Sequence, residues 1–341
     1  MKRYIYSLMR DDRSGFVAGI FKAVLSFVSF FYSLTVDMIR FVKTHASRRL
    51  PCKVISVGNM TLGGTGKTPL TCMLAEYLKK NGRNPAVLIR GYGEDEWKML
   101  KAKLGDIPVI VGRDRIATGR EACEKFNADT LILDDGFQHW SIKRDLDIVL
   151  LDSTDPFGNG KVFPRGLLRE GIRGLNRADI VMLTKTDMGR ANIERIKGEL
   201  KDRVPDTPVA ESIHQPAGIY ELGTGKELAL SSLRGEKVFV LSSIVNSGYF
   251  EYTLKTLGAE IASTLHYPDH YDYKAKEMQR VFGETERLNI KTIVTTEKDA
   301  PKLKELEIKE DKARILVLRV EFKVTGQKEL FNDRLHTLYS R

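Results

Sequence analysis

Gly58-Asn59-Met60-Thr61-Leu62-Gly63-Gly64-Thr65-Gly66-Lys67-Thr68-Pro69 is the stretch from which the rest of the chain can be read. It follows an apolar run, Val54 to Val57, with the character of a buried strand. It precedes Leu70 to Lys80, which has helical spacing and no Gly or Pro. Strand, glycine-rich turn, Lys-Thr and helix together form a P-loop pattern. Glycines let backbone N–H groups converge on phosphate oxygens, and the helix N-terminus adds a favourable dipole. Gly63, Gly64, Thr65, Gly66, Lys67 and Thr68 are the expected phosphate cradle. Lys67 reaches the β- and γ-phosphates, and Thr68 offers its hydroxyl to Mg²⁺. Thr61 stands where the strict pattern has Gly. The pattern predicts binding of ATP or GTP.

Working outward, strands alternate with helices. Apolar runs at Pro85 to Arg90, Pro108 to Val111, Thr130 to Leu133, Leu146 to Leu151 and Ile180 to Leu183 read as strands. Arg115 to Phe126 and Ala191 to Lys201 read as helices. This alternation implies an α/β fold with a doubly wound, mostly parallel sheet of the P-loop NTPase kind. Ligands then gather at the carboxyl ends of the strands. The stretch 208–235, with Pro208, Pro216 and several glycines, reads as an interdomain connection. A second alternation from Val238 to Val320 predicts a smaller α/β domain. The expected division is 1–50 as an N-terminal segment, 51–207 as the nucleotide domain, and 236–341 as a second domain contributing to the substrate site.

The N-terminal segment is unusual. Phe16 to Ile39 is almost wholly apolar, and at ~1.5 Å per residue it is about long enough to cross a bilayer. Its polar residues Lys22, Ser26, Ser29, Ser33 and Asp37, followed by Arg40, recur at steps of three and four and share one side of a helix. Such a seam favours a helix lying in the membrane interface or resting its seam on the protein, with a single span as the alternative. Basic flanks (Lys2, Arg3, Arg10 and Arg13, then Arg40, Lys43, Arg48 and Arg49) suit an anionic membrane surface. A secretory signal is not expected, since the nucleotide site just downstream belongs in the cytoplasm. The net charge of +10 points to an anionic partner. No nucleic-acid-binding signature accompanies it, so no nucleic-acid partner is expected. Three isolated cysteines, Cys52, Cys72 and Cys123, argue against a disulfide framework or a structural zinc site and fit a reducing cytoplasm.

Leu131-Ile132-Leu133-Asp134-Asp135 is a hydrophobic strand ending in two acids, as in a Walker B element, where an Asp holds Mg²⁺ directly or through water. Asp95-Glu96 follows Arg90-Gly91-Tyr92-Gly93 at another strand end and can face the same phosphates. His270, in His266-Tyr267-Pro268-Asp269-His270-Tyr271, has a side chain suited to proton transfer near neutral pH. His139 has a similar but more ambiguous position. Thr184-Lys185-Thr186-Asp187 is similar to the Asn-Lys-x-Asp element with which GTPases read guanine, with Thr at the Asn position. A helix N-cap at Thr186 or Asp187 is the stronger reading.

Taken together, the ordered motifs resemble the tetraacyldisaccharide 4'-kinase family over nearly the full length. They are Val57 to Pro69, Arg90-Gly91-Tyr92-Gly93, Asp134-Asp135-Gly136-Phe137-Gln138-His139, Arg144 to Ile148, Gly158-Asn159-Gly160, Pro164 with Leu168-Arg169-Glu170, Asp269-His270 and Thr296-Glu297-Lys298-Asp299-Ala300. The resemblance implies an enzyme on the cytoplasmic face of a bacterial inner membrane, attached through the N-terminal helix, and a monomer is expected. It implies transfer of the γ-phosphate of ATP, with Mg²⁺, to the 4'-hydroxyl of an acylated glucosamine disaccharide 1-phosphate. Lys67 and Thr68 then take the phosphate and Mg²⁺ roles. Asp95 matches the aspartate of the family's Gly-Asp-Glu-Pro motif, which acts on the sugar hydroxyl with the histidine here at His270. Glu96, Asp134 and Asp135 match acids at the Mg²⁺, and Arg169 matches a phosphate-neutralising arginine. The chain departs from the family at Glu94-Asp95-Glu96-Trp97, at Pro164-Arg165-Gly166-Leu167, and in lacking a segment after Arg90-Gly91-Tyr92. A membrane-associated P-loop GTPase or ATPase switch acting on a protein partner is the alternative.

Overall fold

The computed structural model describes residues 2–91, 94–269, 271–306 and 313–340, with the side chains of residues 2, 3 and 94–96 left out of the description. The chain forms two compact units. One comprises Met1–Arg90, Leu104–Ile213 and Val324–Arg341; the other comprises Gly91–Lys103 and His214–Lys323.

In the first unit, α1 (Lys2–Met9) and the long α2 (Phe16–His45) precede the alternation. This runs β1 (Lys53–Asn59), α3 (Lys67–Lys80), β2 (Pro85–Ile89), then α4 (Glu94–Leu104), most of which belongs to the second unit. It continues through β3 (Val109–Val111), α5 (Arg115–Phe126), β4 (Thr130–Asp134), β5 (Leu146–Asp152), β6 (Ile180–Thr184) and α6 (Ile193–Arg203) into β7 (Val209–Glu221). The strands lie in the order β7-β6-β5-β1-β4-β2-β3, all parallel. That is the doubly wound sheet expected of the alternation, with its central strands buried throughout. Alternate residues point to opposite faces. Val149, Leu151, Val181 and Leu183 pack with Ile196 and Leu200 of α6 in one core. Val54, Leu131 and Leu133 pack with Ala122 of α5 in another. α5 starts where expected because the Asp114 carboxylate accepts from the Ile116 and Ala117 amides, and it stops at Asn127 in the left-handed region.

The second unit holds the outer half of β7, β8 (Glu227–Leu228), β9 (Lys237–Ser242), α7 (Ser247–Thr256), β10 (Glu260–His266), α8 (Ala275–Arg287), β11 (Thr292–Thr296), α9 (Ala300–Lys304) and most of β12 (Arg314–Gly326). Strands β10-β9-β11-β12 are parallel neighbours. Phe239, Leu241, Ile293 and Ile315 face one core, and Val238, Val240, Val294 and Leu316 the other.

Two boundaries differ from the sequence reading. The stretch 208–235 is not a loose connection: β7 pairs with β6 at one end and with β8 at the other, despite Pro216 and Gly218. The C-terminal stretch belongs with the first unit, not the second. There α10 (Lys328–Thr337) places His336 Nε2 3.1 Å from the Tyr77 hydroxyl, and Tyr339 shares a 2.8 Å hydrogen bond with Thr130 Oγ1.

Within the first unit, α2 rests on the protein through a narrow edge. Ala18 and Ser29 are buried; Lys22, Leu25, Tyr32, Ser33, Val36 and Arg40 are partly covered. These recur at helical steps, so one stripe faces inward. Ser29 Oγ donates to Val162 O (2.7 Å), Tyr32 Oη donates to Arg169 O (3.2 Å), and Lys22 pairs with Asp11. The other side carries Phe16, Val17, Phe27, Phe30, Leu34, Phe41 and Val42, all exposed. By length and composition α2 can cross a membrane.

Candidate active site

The parallel register brings the carboxyl ends of β1, β4, β5 and β6 to one edge. Val57 lies opposite Asp134, Asn59 opposite Leu150, and Asp152 opposite Thr184. The glycine-rich turn leaves β1 there and enters α3, which begins at Lys67. Gly66 takes φ of 92°, a conformation that costs a side-chain-bearing residue but not glycine. Gly58 has a different reason: an added Cβ would lie 2.4 Å from Phe137 Cβ, so the strand can pass under the Asp134-Asp135 turn only without a side chain.

Around this turn the polar groups converge. Thr68 Oγ1 donates to Asp134 (3.4 Å), and Thr71 Oγ1 donates to the same carboxylate (3.3 Å). Lys67 Nζ donates to Asn59 Oδ1 (3.3 Å) and lies 3.6 Å from Asp135. Asp135 has φ of 56°, which turns the chain sharply after β4. Arg169 Nη1 donates to both Asp135 oxygens, at 2.8 and 2.9 Å. Burial alone would raise the Asp135 pKa; the charges of Lys67 and Arg169 override it and hold it below the ordinary aspartate range. Asp135 is therefore an anion flanked by two cations.

Arg169 is far from the turn in sequence, and backbone pairing carries it there. Thr61 bridges Leu168, Leu62 N donates to Leu167 O (2.8 Å), and Arg169 N donates to Met60 O (2.8 Å). The segment before Arg169 is thus stitched to the shoulder of the glycine-rich turn.

Several polar residues at this site were given no role by the sequence. Arg115, buried at the start of α5, donates to Asp134 O (3.1 Å); burial pulls its pKa down to about 10 against the pull of Asp134 and Asp135. Gln138 and Glu170 were quoted only as parts of longer motifs. Lys185 is buried, ion-paired with Asp152, and donates to Gly64 O of the turn (2.9 Å). Its position after an apolar strand was the available signal. The N-cap reading of Thr186 or Asp187 is corrected: α6 starts only at Ile193, and Thr186 Oγ1 donates to Ser212 O (3.1 Å), because the chain turns here against β7 instead of entering a helix. His139 is partly covered, and burial together with Arg115 and Lys43 pushes its pKa down to about 4, so it is neutral at pH 7.

The residues fit a bound nucleotide phosphate with Mg²⁺. Thr65 Oγ1 is buried with no hydrogen-bond partner among the described residues, within the turn that carries Lys67. Thr68 and Asp134 present hard oxygens side by side, as Mg²⁺ requires when phosphates and water complete its shell. Asp95 and Glu96 lie in the first turn of α4, in the second unit; their side chains, and all of His270, fall outside the described residues.

The chain is similar to known proteins over most of its length. The sequence profile of the tetraacyldisaccharide-1-P 4'-kinase family matches residues 21–339. The tetraacyldisaccharide 4'-kinase of Syntrophus aciditrophicus is 39% identical over 331 aligned residues, covering 87% of each chain. That of Halothermothrix orenii is 32% identical, covering 97% of this chain and 96% of its own. The crystal structure of LpxK from Aquifex aeolicus in complex with ATP is similar with a TM-score of 0.71 and 25% identity, covering 94% of this chain and 99% of that one. A profile match over most of the length, with relatives above 30% identity end to end, places the chain in the tetraacyldisaccharide-1-phosphate 4'-kinase family.

Proposed function

We propose that this protein transfers the γ-phosphate of ATP to the 4'-hydroxyl of an acylated glucosamine disaccharide 1-phosphate, the step named by its family. The observation that carries the reading is the convergence of Lys67, Thr68, Asp134, Asp135 and Arg169 on one phosphate-sized turn. Lys67 and Arg169 neutralise charge on the transferring phosphoryl group. Thr68, Asp134 and Asp135 would hold Mg²⁺, which when bound would supply positive charge against the phosphates. As the resemblance implies, Asp95 acting with His270 accepts the proton of the 4'-hydroxyl as its oxygen bonds to phosphorus. The bond from phosphorus to the β,γ-bridging oxygen breaks, and ADP leaves. Phosphoryl transfer asks the protein mainly for positioning and charge stabilisation, and the turn is built from groups suited to both.

The test is transfer of labelled γ-phosphate to detergent-dispersed tetraacyldisaccharide 1-phosphate with Mg²⁺. Lipid product is expected. Nucleotide hydrolysis that ignores the lipid, with no product, would replace this reading by the switch-type NTPase. Thr184 counts against a guanine-reading role, since it is buried with its hydroxyl donating to Leu151 O (3.4 Å).

A substrate with acyl chains stays in the bilayer, so the enzyme must meet it there. The bare side of α2 is the docking face, lying on the cytoplasmic surface of the inner membrane, and the protein acts as a monomer. Phe30→Ser, Leu34→Ser and Phe41→Ser together remove exposed side chains without touching the inward stripe. Each buried aromatic or leucine contributes about 1.5–3 kcal/mol, so the triple variant should lose on the order of a thousandfold in vesicle partitioning. Wild-type sedimentation with vesicles would discard α2 as the anchor.

A further inference from the structure

Glu170 is fully buried, yet it is a carboxylate with two hydrogen-bond donors on one oxygen and a further cation near the other. Arg177 Nη2 donates to it at 2.9 Å, Gln138 Nε2 donates at 3.0 Å, and Arg40 Nη1 of α2 lies 3.5 Å away. Gln138 faces both ways. Its amide nitrogen also donates to Asn59 O at the end of β1 (3.0 Å), and its amide oxygen accepts from Arg169 Nη1 (3.3 Å), the atom that holds Asp135. The backbone makes the same link, since Tyr32 Oη of α2 donates to Arg169 O. The fit leaves no slack: a Cβ on Gly174 would lie 2.5 Å from a Glu170 oxygen. A buried charge is stable only with its partners in place.

We propose that Glu170 is a positioning residue that ties the seating of α2 to the phosphate site. Arg40 on the apolar helix balances its charge, and Gln138 passes its position to Arg169. Displacing α2 removes Arg40 and the Tyr32 hydroxyl together, leaves the buried carboxylate under-partnered, and shifts the neighbouring Arg169 from the place where it meets the transferring phosphate. The catalytic rate, more than nucleotide binding, then depends on whether α2 is docked. This rests on the kinase reading for the identity of the reaction but not for the linkage itself.

The experiment compares the wild-type, Arg40→Gln, Arg40→Lys, Glu170→Gln and Arg40→Gln/Glu170→Gln full-length proteins in mixed micelles. Each is checked for folding by thermal melting, and hydrogen exchange is followed across residues 134–140. Arg40→Gln is expected to lower kcat about tenfold to a hundredfold, the scale of an ångström's misplacement, with KM for ATP little changed. Arg40→Lys restores most of kcat, and the double variant is no worse than Glu170→Gln alone, because both changes break one linkage. A loss of packing alone would lower the melting temperature without this split in kcat and KM or the rescue by Lys. A folded Arg40→Gln protein with wild-type kcat, or losses that multiply in the double variant, overturns the proposal. If the wild type makes no lipid product, the kinase reading fails. The linkage is then judged by exchange alone: faster exchange at 134–140 in Arg40→Gln upholds it, and unchanged exchange overturns it.

Discussion

Lys67→Ala is expected to lower kcat by roughly 10³–10⁵-fold, the range spanned by removing one cation from a transferring phosphoryl group. Lys67 stands at the start of α3, between Asn59 and Asp135, so its ammonium is already aimed along the edge where the strands end. Its removal leaves Asp135 with only Arg169, and the developing phosphate charge with one cation in place of two. The check is single-turnover transfer of label to the lipid, with nucleotide binding measured separately. A fall in kcat beyond any loss in binding assigns Lys67 to the transition state. A rise in KM alone assigns it to ground-state binding.

Asp95→Ala should lower kcat by about 10²–10⁴-fold, the usual contribution of a general base, while ATP still binds. The reasoning is chemical. A sugar hydroxyl is a poor nucleophile while it keeps its proton, and an Asp paired with a His can take that proton and hold the oxygen in line. His270→Ala should lose a comparable factor, and the double variant should be scarcely worse than either single one, as for residues that act as a unit. Normal turnover by Asp95→Ala removes it from the mechanism and turns attention to Asp134 and Asp135 of the first unit.

How much of this was legible beforehand depends on the distance over which each signal acts. The glycine-rich turn, the flanking β1 and α3, and the ends of α5 are local matters of spacing, capping and backbone freedom, and they appear where the sequence put them. Arg169 was visible only through resemblance. Its approach to Asp135 depends on a backbone bridge between Thr61 and Leu168, which no local rule announces. Lys185, Arg115 and Glu170 were given no role because a buried charge is recognised by its partners, and those lie on other elements. β7 was hidden by Pro216 and Gly218, which ordinarily disfavour a strand interior. The charged α10 gave no sign of which unit it covers, since that is decided by Tyr77 and Thr130, far back in the chain.

That last contact has a consequence for synthesis. The nucleotide-binding unit cannot be completed as the ribosome extrudes it. Its strands emerge early, but the side chains that cover Thr130 and Tyr77 are made only after the whole of residues 214–323. The first unit must therefore wait, partly uncovered, while the second is translated and folds. Substitutions that slow folding of the second unit should be felt as poor yield of the first, even where they touch no residue of the phosphate site.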